Sequence, residues 1–299
     1  MHDPIIILAP PRSFTSIVCA MLGEHPQMYG LPEVNLFVAE TMRERQGVIA
    51  RPKFSEHGLL RAVAQLFAGE QTFGTIALAR RWVEMRANCT CSSVLQELGE
   101  RVAPRILVEK SPRSVVRCEY LQRIWKAFPN TKFLHLLRHP RSLGESLYRL
   151  GGTVAAKGLE ALDYSTDPPA VDFQKAWYSL NMNIITFLDG IPEDQKIQVR
   201  GEELLGDVDT YLRRIVKWLG LRTDEEAIEA MRHPEWSPYA DFGPANARFG
   251  NDPNFLSSPA LRPLPSGEAP SLEGPLSWRQ DGRGFSPEVV ELAKQLGYS

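Results

Sequence analysis

Three short stretches of this chain combine cations with hydroxyls in a way suited to holding a phosphate-like anion. The first is Pro10-Pro11-Arg12-Ser13-Phe14-Thr15-Ser16, which follows an apolar run and precedes Ile17, Val18, Ala20, Met21 and Leu22 at helical spacing. Such a loop leads into a helix amino terminus, whose unpaired N–H groups and dipole favour an anion. The G-x-x-x-x-G-K-[ST] pattern is missing, which argues against a kinase or ATPase of the usual phosphate-loop type. The second stretch pairs Arg138 with Ser146, a turn arginine and a hydroxyl two helical turns into the next helix, and together they can grip one phosphate. The third is Lys110-Ser111-Pro112. Transferring a charged group to a hydroxyl needs cations against the charge that develops on the leaving oxygen, and a base within hydrogen-bond reach of the acceptor. Lys110 and Arg12 suit the first task and Glu33 the second, with His25 and then Glu109 as weaker alternatives. Glu33 has another use open to it, as a cap for a helix over 34–44, since acidic side chains favour first turns. His25-Pro26 likewise reads as a helix stop.

The elements that must position these residues follow from hydrophobic period. Ile5 to Leu8 is a continuous apolar run, the pattern of a strand buried on both faces, and a helix over 15–24 follows at once. Ile106-Leu107-Val108 predicts a second such strand, with a helix over 113–128 behind it. A third strand over 133–137 leads through Arg138-His139-Pro140-Arg141 to a helix carrying Leu143, Leu147 and Leu150. Lys196 to Arg200 is a fourth strand, and 172–189 and 210–220 are amphipathic helices, with Trp177 on the core face of the first. Strand and helix in alternation imply an α/β fold, a central, mainly parallel sheet with helices on both sides. In such a sheet ligands bind beyond the carboxyl ends of the strands, where Arg12, Lys110 and Arg138 all fall.

Composition narrows the classes of function. The chain has 299 residues, 43% hydrophobic and 23% charged, and a net charge of −2, so no global basic field exists for nucleic acid and any anion site must be local. Arginines make up 25 of the 34 cations, in keeping with forked recognition of phosphate or sulfate. Four irregularly spaced cysteines and scattered histidines form neither a disulfide framework nor a metal ligand set, and His135 reads as a strand residue. No metal is expected. The opening residues carry no basic leader and the first apolar run is too short to span a membrane, so the expectation is a cytoplasmic protein with no membrane partner. One domain over 1–299 is expected, with the Pro- and Gly-rich 257–284 segment a mobile loop or a lid on the acceptor site. Nothing in the pattern fixes the oligomeric state.

Pro11-Arg12-Ser13-x-Thr15-Ser16 together with Arg138-x7-Ser146 resembles the sulfotransferases that use 3'-phosphoadenosine-5'-phosphosulfate (PAPS). Ala20-Met21-Leu22-x-x-His25-Pro26 and Leu31-Pro32-Glu33-Val34-Asn35-Leu36 are similar to tyrosylprotein sulfotransferases and to the sulfotransferase domains of polyketide synthases of the curacin and olefin synthase type. Val108-Glu109-Lys110-Ser111-Pro112, the helix around Trp177 and Gly250-Asn251-Asp252-Pro253-Asn254-Phe255 resemble the polyketide-associated group, so the likeness runs from about Ile5 to Phe255. It implies a sulfotransferase fold related to the P-loop NTPases. It also implies that Arg12, Ser13, Phe14, Thr15 and Ser16 hold the 5'-phosphosulfate, that Arg138 and Ser146 hold the 3'-phosphate, and that Glu33 is the base. Arg200 and, in a closing loop with Phe249 and Gly250, Arg248 would complete the nucleotide site. The implied reaction is metal-independent, in-line sulfuryl transfer to a hydroxyl of a small metabolite or of an acyl chain tethered to a carrier protein. A divergent kinase or phosphotransferase and a non-catalytic nucleotide-binding module remain the alternatives. One departure stands out: many relatives read R-Y-E-D-L after the fourth strand, whereas this chain has Arg200-Gly201-Glu202-Glu203-Leu204 and lacks the aromatic there.

Overall fold

Continuous apolar runs have to be covered on both faces, and a computed structural model describing residues 3–50, 53–262 and 270–299 shows how this is done. The chain runs β1 (Ile5–Leu8), α1 (Thr15–Gly23), β2 (Met28–Gly30), then α2 (Met42–Ile49), α3 (His57–Ala68), α4 (Phe73–Met85) and α5 (Cys91–Val102). β3 (Ile106–Glu109), α6 (Cys118–Ala127), β4 (Lys132–Leu137) and α7 (Pro140–Gly158) follow. A short antiparallel pair, β5 (Leu162–Asp163) and β6 (Ala170–Val171), precedes α8 (Phe173–Leu188) and β7 (Lys196–Arg200). The regular elements after β7 are helices: α9 (Gly201–Gly206), α10 (Val208–Trp218), α11 (Glu225–Met231), α12 (Pro253–Ser257) and α13 (Pro287–Gln295).

The main sheet has the order β2-β3-β1-β4-β7, with every pairing parallel. The period of two in a strand sends alternate residues to opposite layers. Ile6, Leu8, Leu107 and Phe133 pack with Leu59, Leu95 and Ile184 from α3, α5 and α8. Ile5, Ile7, Val108 and Leu134 pack with Val18 and Ile215 from α1 and α10. This is the expected three-layer α/β arrangement. β1 lies between β3 and β4, with β2 and β3 on one side and β4 and β7 on the other, so the strand order reverses there, and the crevice at such a switch point is where ligands bind in open α/β sheets. Among the described residues, no helix is long and apolar enough to cross a membrane.

Three expectations need correction. The helix over 113–128 is two pieces: Pro112–Val115 forms a single 3-10 turn, Arg117 is extended, and α6 starts only at Cys118. No helix covers 34–44, because Asn35 is left-handed (φ 48°) and the first helix after it is α2, capped reciprocally by Thr41 and Glu44. Glu33 therefore caps nothing. Of the 257–284 segment, the stretch around 272–279 is packed rather than loose: Leu272, Leu276 and Trp278 are buried against α7, α8 and α13, and Arg279 pairs with Asp163, Asp172 and Asp281. Residues 263–269 of that segment lie outside the described residues.

Candidate active site

The loop between β1 and α1 is held in a conformation that side chains normally avoid. Arg12 (φ 68°) and Phe14 (φ 61°) are both left-handed, each at an expense of about 1–3 kcal/mol, and such strain collects at functional sites. Phe14 occupies the N-cap position of α1 but offers no capping hydrogen bond, so the first N–H groups of the helix are left for another acceptor. The hydroxyl of Ser13 is fully buried with no partner. A loop with unsatisfied donors at a helix amino terminus is an anion cradle.

Cations converge on it from three strand ends. Lys110, just past β3, is fully buried, and its Nζ donates to Ser16 Oγ at 2.8 Å and to Glu33 Oε1 at 2.9 Å. Arg138, just past β4, donates from Nη1 to the Arg12 carbonyl and lays its guanidinium 4.5 Å from the centroid of the Phe14 ring. Its Nε is buried without a partner. Burial lowers the Arg138 pKa to about 10, against a smaller upward pull from Glu202, so the group stays charged at neutral pH. Arg12 Nε donates to Ser146 Oγ at 3.0 Å, and its Nη1 forms an ion pair with Asp252. Ser146 is thus joined to Arg12, where the sequence pairs it with Arg138, and the two anion grips form one site.

Thr15 and Ser16 are buried on the first turn of α1, as the pattern requires. Trp177 is completely buried and donates from Nε1 to the Arg138 carbonyl at 2.8 Å, a core residue that also steadies the turn. His135 is a buried strand residue bonded to Asn181 at 3.1 Å, and burial lowers its pKa to about 4. Among the described residues no group of three or more His, Cys, Asp or Glu is placed to hold a metal ion. The missing aromatic after β7 has a steric reason: a Cβ on Gly201 would overlap the ring of Phe14.

Two of the residues expected to complete the nucleotide site stand apart. The Arg200 guanidinium bonds Glu203 and the Gly297 carbonyl and lies over the Tyr298 ring, at the carboxyl end of β7. Arg248 is exposed, with its guanidinium over Phe242, and it is the backbone two residues later that reaches the site. There the Gly250 carbonyl accepts from the Glu33 N–H at 2.7 Å and the Asp252 N–H donates to Ser16 Oγ at 3.1 Å. The base alternatives separate as well. His25 is buried, bonded to the Arg222 carbonyl at 3.0 Å, and burial lowers its pKa. Glu109 is sealed under the site, its oxygen taken by Ser111, and burial raises its pKa to about 7. Asp252 was not singled out as a site residue; its sequence signals are an Asp-Pro helix start and its place in the Gly250–Phe255 stretch that carries the resemblance.

A family model described as "Sulfotransferase family" matches residues 4–225. The sulfotransferase domain from the curacin biosynthetic pathway superposes with a TM-score of 0.79 at 24% identity, covering 100% of this chain and 99% of that one. The sulfotransferase domain from the Synechococcus PCC 7002 olefin synthase gives 0.73 at 24% identity, covering 100% and 96%. These likenesses establish the fold. No curated protein matches the sequence.

Proposed function

Because the chain belongs to the sulfotransferase family, we propose that it moves a sulfuryl group from PAPS to a hydroxyl of a small metabolite or of a carrier-tethered acyl chain, without a metal. The observation that carries this reading is the Ser16–Lys110–Glu33 chain, which sets a cation and a carboxylate side by side at the mouth of the anion cradle. The donor fits the residues present. Ser13 Oγ, the uncapped start of α1 and Arg12 would take the phosphosulfate, and the orphaned Nε of Arg138 would take the 3'-phosphate. When bound, PAPS supplies an electrophilic sulfur and a phosphate leaving group.

Glu33 accepts the proton of the acceptor hydroxyl as its oxygen bonds to sulfur. The bond from sulfur to the bridging phosphate oxygen breaks in line, and the charge left on that oxygen is met by Lys110 and Arg12. Lys110 is suited to both partners, because the same Nζ that holds Glu33 sits on Ser16 of the cradle. The acceptor class follows the provenance of the two similar structures, a curacin pathway and an olefin synthase. The test is release of 3'-phosphoadenosine-5'-phosphate (PAP) from PAPS in the presence of a panel of hydroxyl acceptors, with EDTA, beside ATP with magnesium. Sulfated product formed in EDTA supports the proposal; phosphorylation of acceptor from ATP, with no sulfation, overturns it.

A further inference from the structure

The loop that presents Glu33 is pinned from several sides at once. Glu33 N–H donates to the Gly250 carbonyl (2.7 Å), Asn35 Nδ2 to the Glu33 carbonyl (3.4 Å) and Asn35 N–H to Ser111 Oγ (2.9 Å). Arg45 Nη2 donates to the Val34 carbonyl (2.6 Å) and Arg45 Nε to the Asn35 carbonyl (2.9 Å). These partners come from the strap before α12, the turn after β3 and α2, and they hold Asn35 in its left-handed conformation. Behind the loop, Gly58 in α3 lies so near that a Cβ there would overlap the Glu33 carbonyl.

Arg45 is the unexpected member of this set. Its side chain is almost wholly buried, both bonds go to neutral carbonyls, and burial pulls its pKa down to about 10. Burying a cation on neutral partners is unfavourable, and a residue placed so has to be explained by geometry. The geometry is a planar fork spanning two consecutive carbonyls, which a lysine ammonium cannot reproduce.

We infer that Arg45 is a positioning residue for catalysis: by clamping the Val34 and Asn35 carbonyls it fixes the Glu33 carboxylate at its 2.9 Å contact with Lys110, where the acceptor proton is taken. The inference rests on the reading of Glu33 as the base. A displacement of about 1 Å in a reacting group lowers the rate by as much as ~100-fold, so a loose loop registers in kcat. Arg45 also lines a cavity of about 520 Å³, together with Glu56, Leu59, Arg80 and Val83, so the space left by truncation adjoins room for a small cation.

The experiment compares Arg45→Ala, Arg45→Lys and Glu33→Gln with wild type in turnover of PAPS, PAP affinity and thermal stability, with and without added guanidinium ion. For Arg45→Ala the expected result is a kcat lower by about 10- to 100-fold with PAP affinity within about twofold, partly restored by guanidinium. Guanidinium should not raise the rate of wild type or Glu33→Gln. Should Arg45→Ala not fold, Arg45→Lys decides: it keeps one carbonyl contact and should lose kcat while PAP affinity stays near wild type. Wild-type kcat in either Arg45 variant, or a loss shared equally by PAP affinity, overturns the inference. Wild-type turnover by Glu33→Gln instead overturns the reading of Glu33, whatever the Arg45 variants do.

Discussion

Replacing Arg138 by methionine should erase the ability to distinguish PAP from AMP, two ligands that differ only in the 3'-phosphate. In the structure the Arg138 guanidinium is held by the Arg12 carbonyl and the face of Phe14, while Nε is buried without an acceptor. A phosphate oxygen would satisfy that donor. Hydrogen bonds involving a charged group contribute about 1.5–3 kcal/mol, so a forked contact at the upper end gives roughly 100-fold selectivity. Its pKa of about 10 means that the positive charge is in place at neutral pH. Calorimetric titration of wild type and Arg138→Met with each nucleotide gives four affinities that close a cycle. The expected result is a wild-type preference for PAP of about 100-fold that falls to near unity in the variant. AMP affinity should change little, and any change in it reports disturbance of the Arg12 loop through the lost carbonyl contact. A variant that still prefers PAP as strongly as wild type would refute the assignment of Arg138.

Other perturbations follow from the same geometry. Lys110→Met removes the cation joined to both Ser16 and Glu33, and turnover should fall by about 10²–10³ with PAP affinity nearly intact, measured by PAP release. Asp252→Asn removes a carboxylate that competes with any anion for Arg12, so titration should show tighter PAP binding; weaker binding would mean that Asp252 orients Arg12. Gly201→Ala forces a Cβ into the Phe14 ring and should destabilise by roughly 1–3 kcal/mol in thermal unfolding, with Phe14→Ala in the same chain relieving it. Buried His135 stays neutral down to about pH 4, whereas unfolded histidine protonates near 6.5. The unfolded chain therefore binds more protons between those values, so His135 makes stability drop as pH falls from about 6.5 to 4, by about 3 kcal/mol. The acid limb of a denaturation series should be shallower by that amount in His135→Gln.

Local hydrophobic pattern marks four of the five strands of the main sheet and the edge on which the chemistry gathers; the three-residue edge strand β2 carries no such mark. The apolar run at Ile5–Leu8, the mostly apolar β3 and the strand Lys132–Leu137, apolar but for Lys132 and His135, leave few places but a parallel sheet, and parallel strands necessarily end on one side. Residues just past those ends, Arg12, Lys110 and Arg138, are therefore brought together by local pattern plus one topological rule. What lies off the strand ends was decided only by the tertiary structure. Asp252 reaches Arg12 across 240 residues of chain, and Ser146 bonds Arg12 across 134, contacts for which no local period exists. Arg45 lies in sequence among Arg43, Glu44 and Gln46, with no local signal that would mark it as buried, yet packing turns its side chain inward onto the Glu33 loop. The absent helix over 34–44 has the same origin. Helix propensity is a preference of tenths of a kcal/mol per residue, and the contacts of Asn35 with Ser111, Ser55 and Arg45, which converge only when the chain is folded, outweigh it.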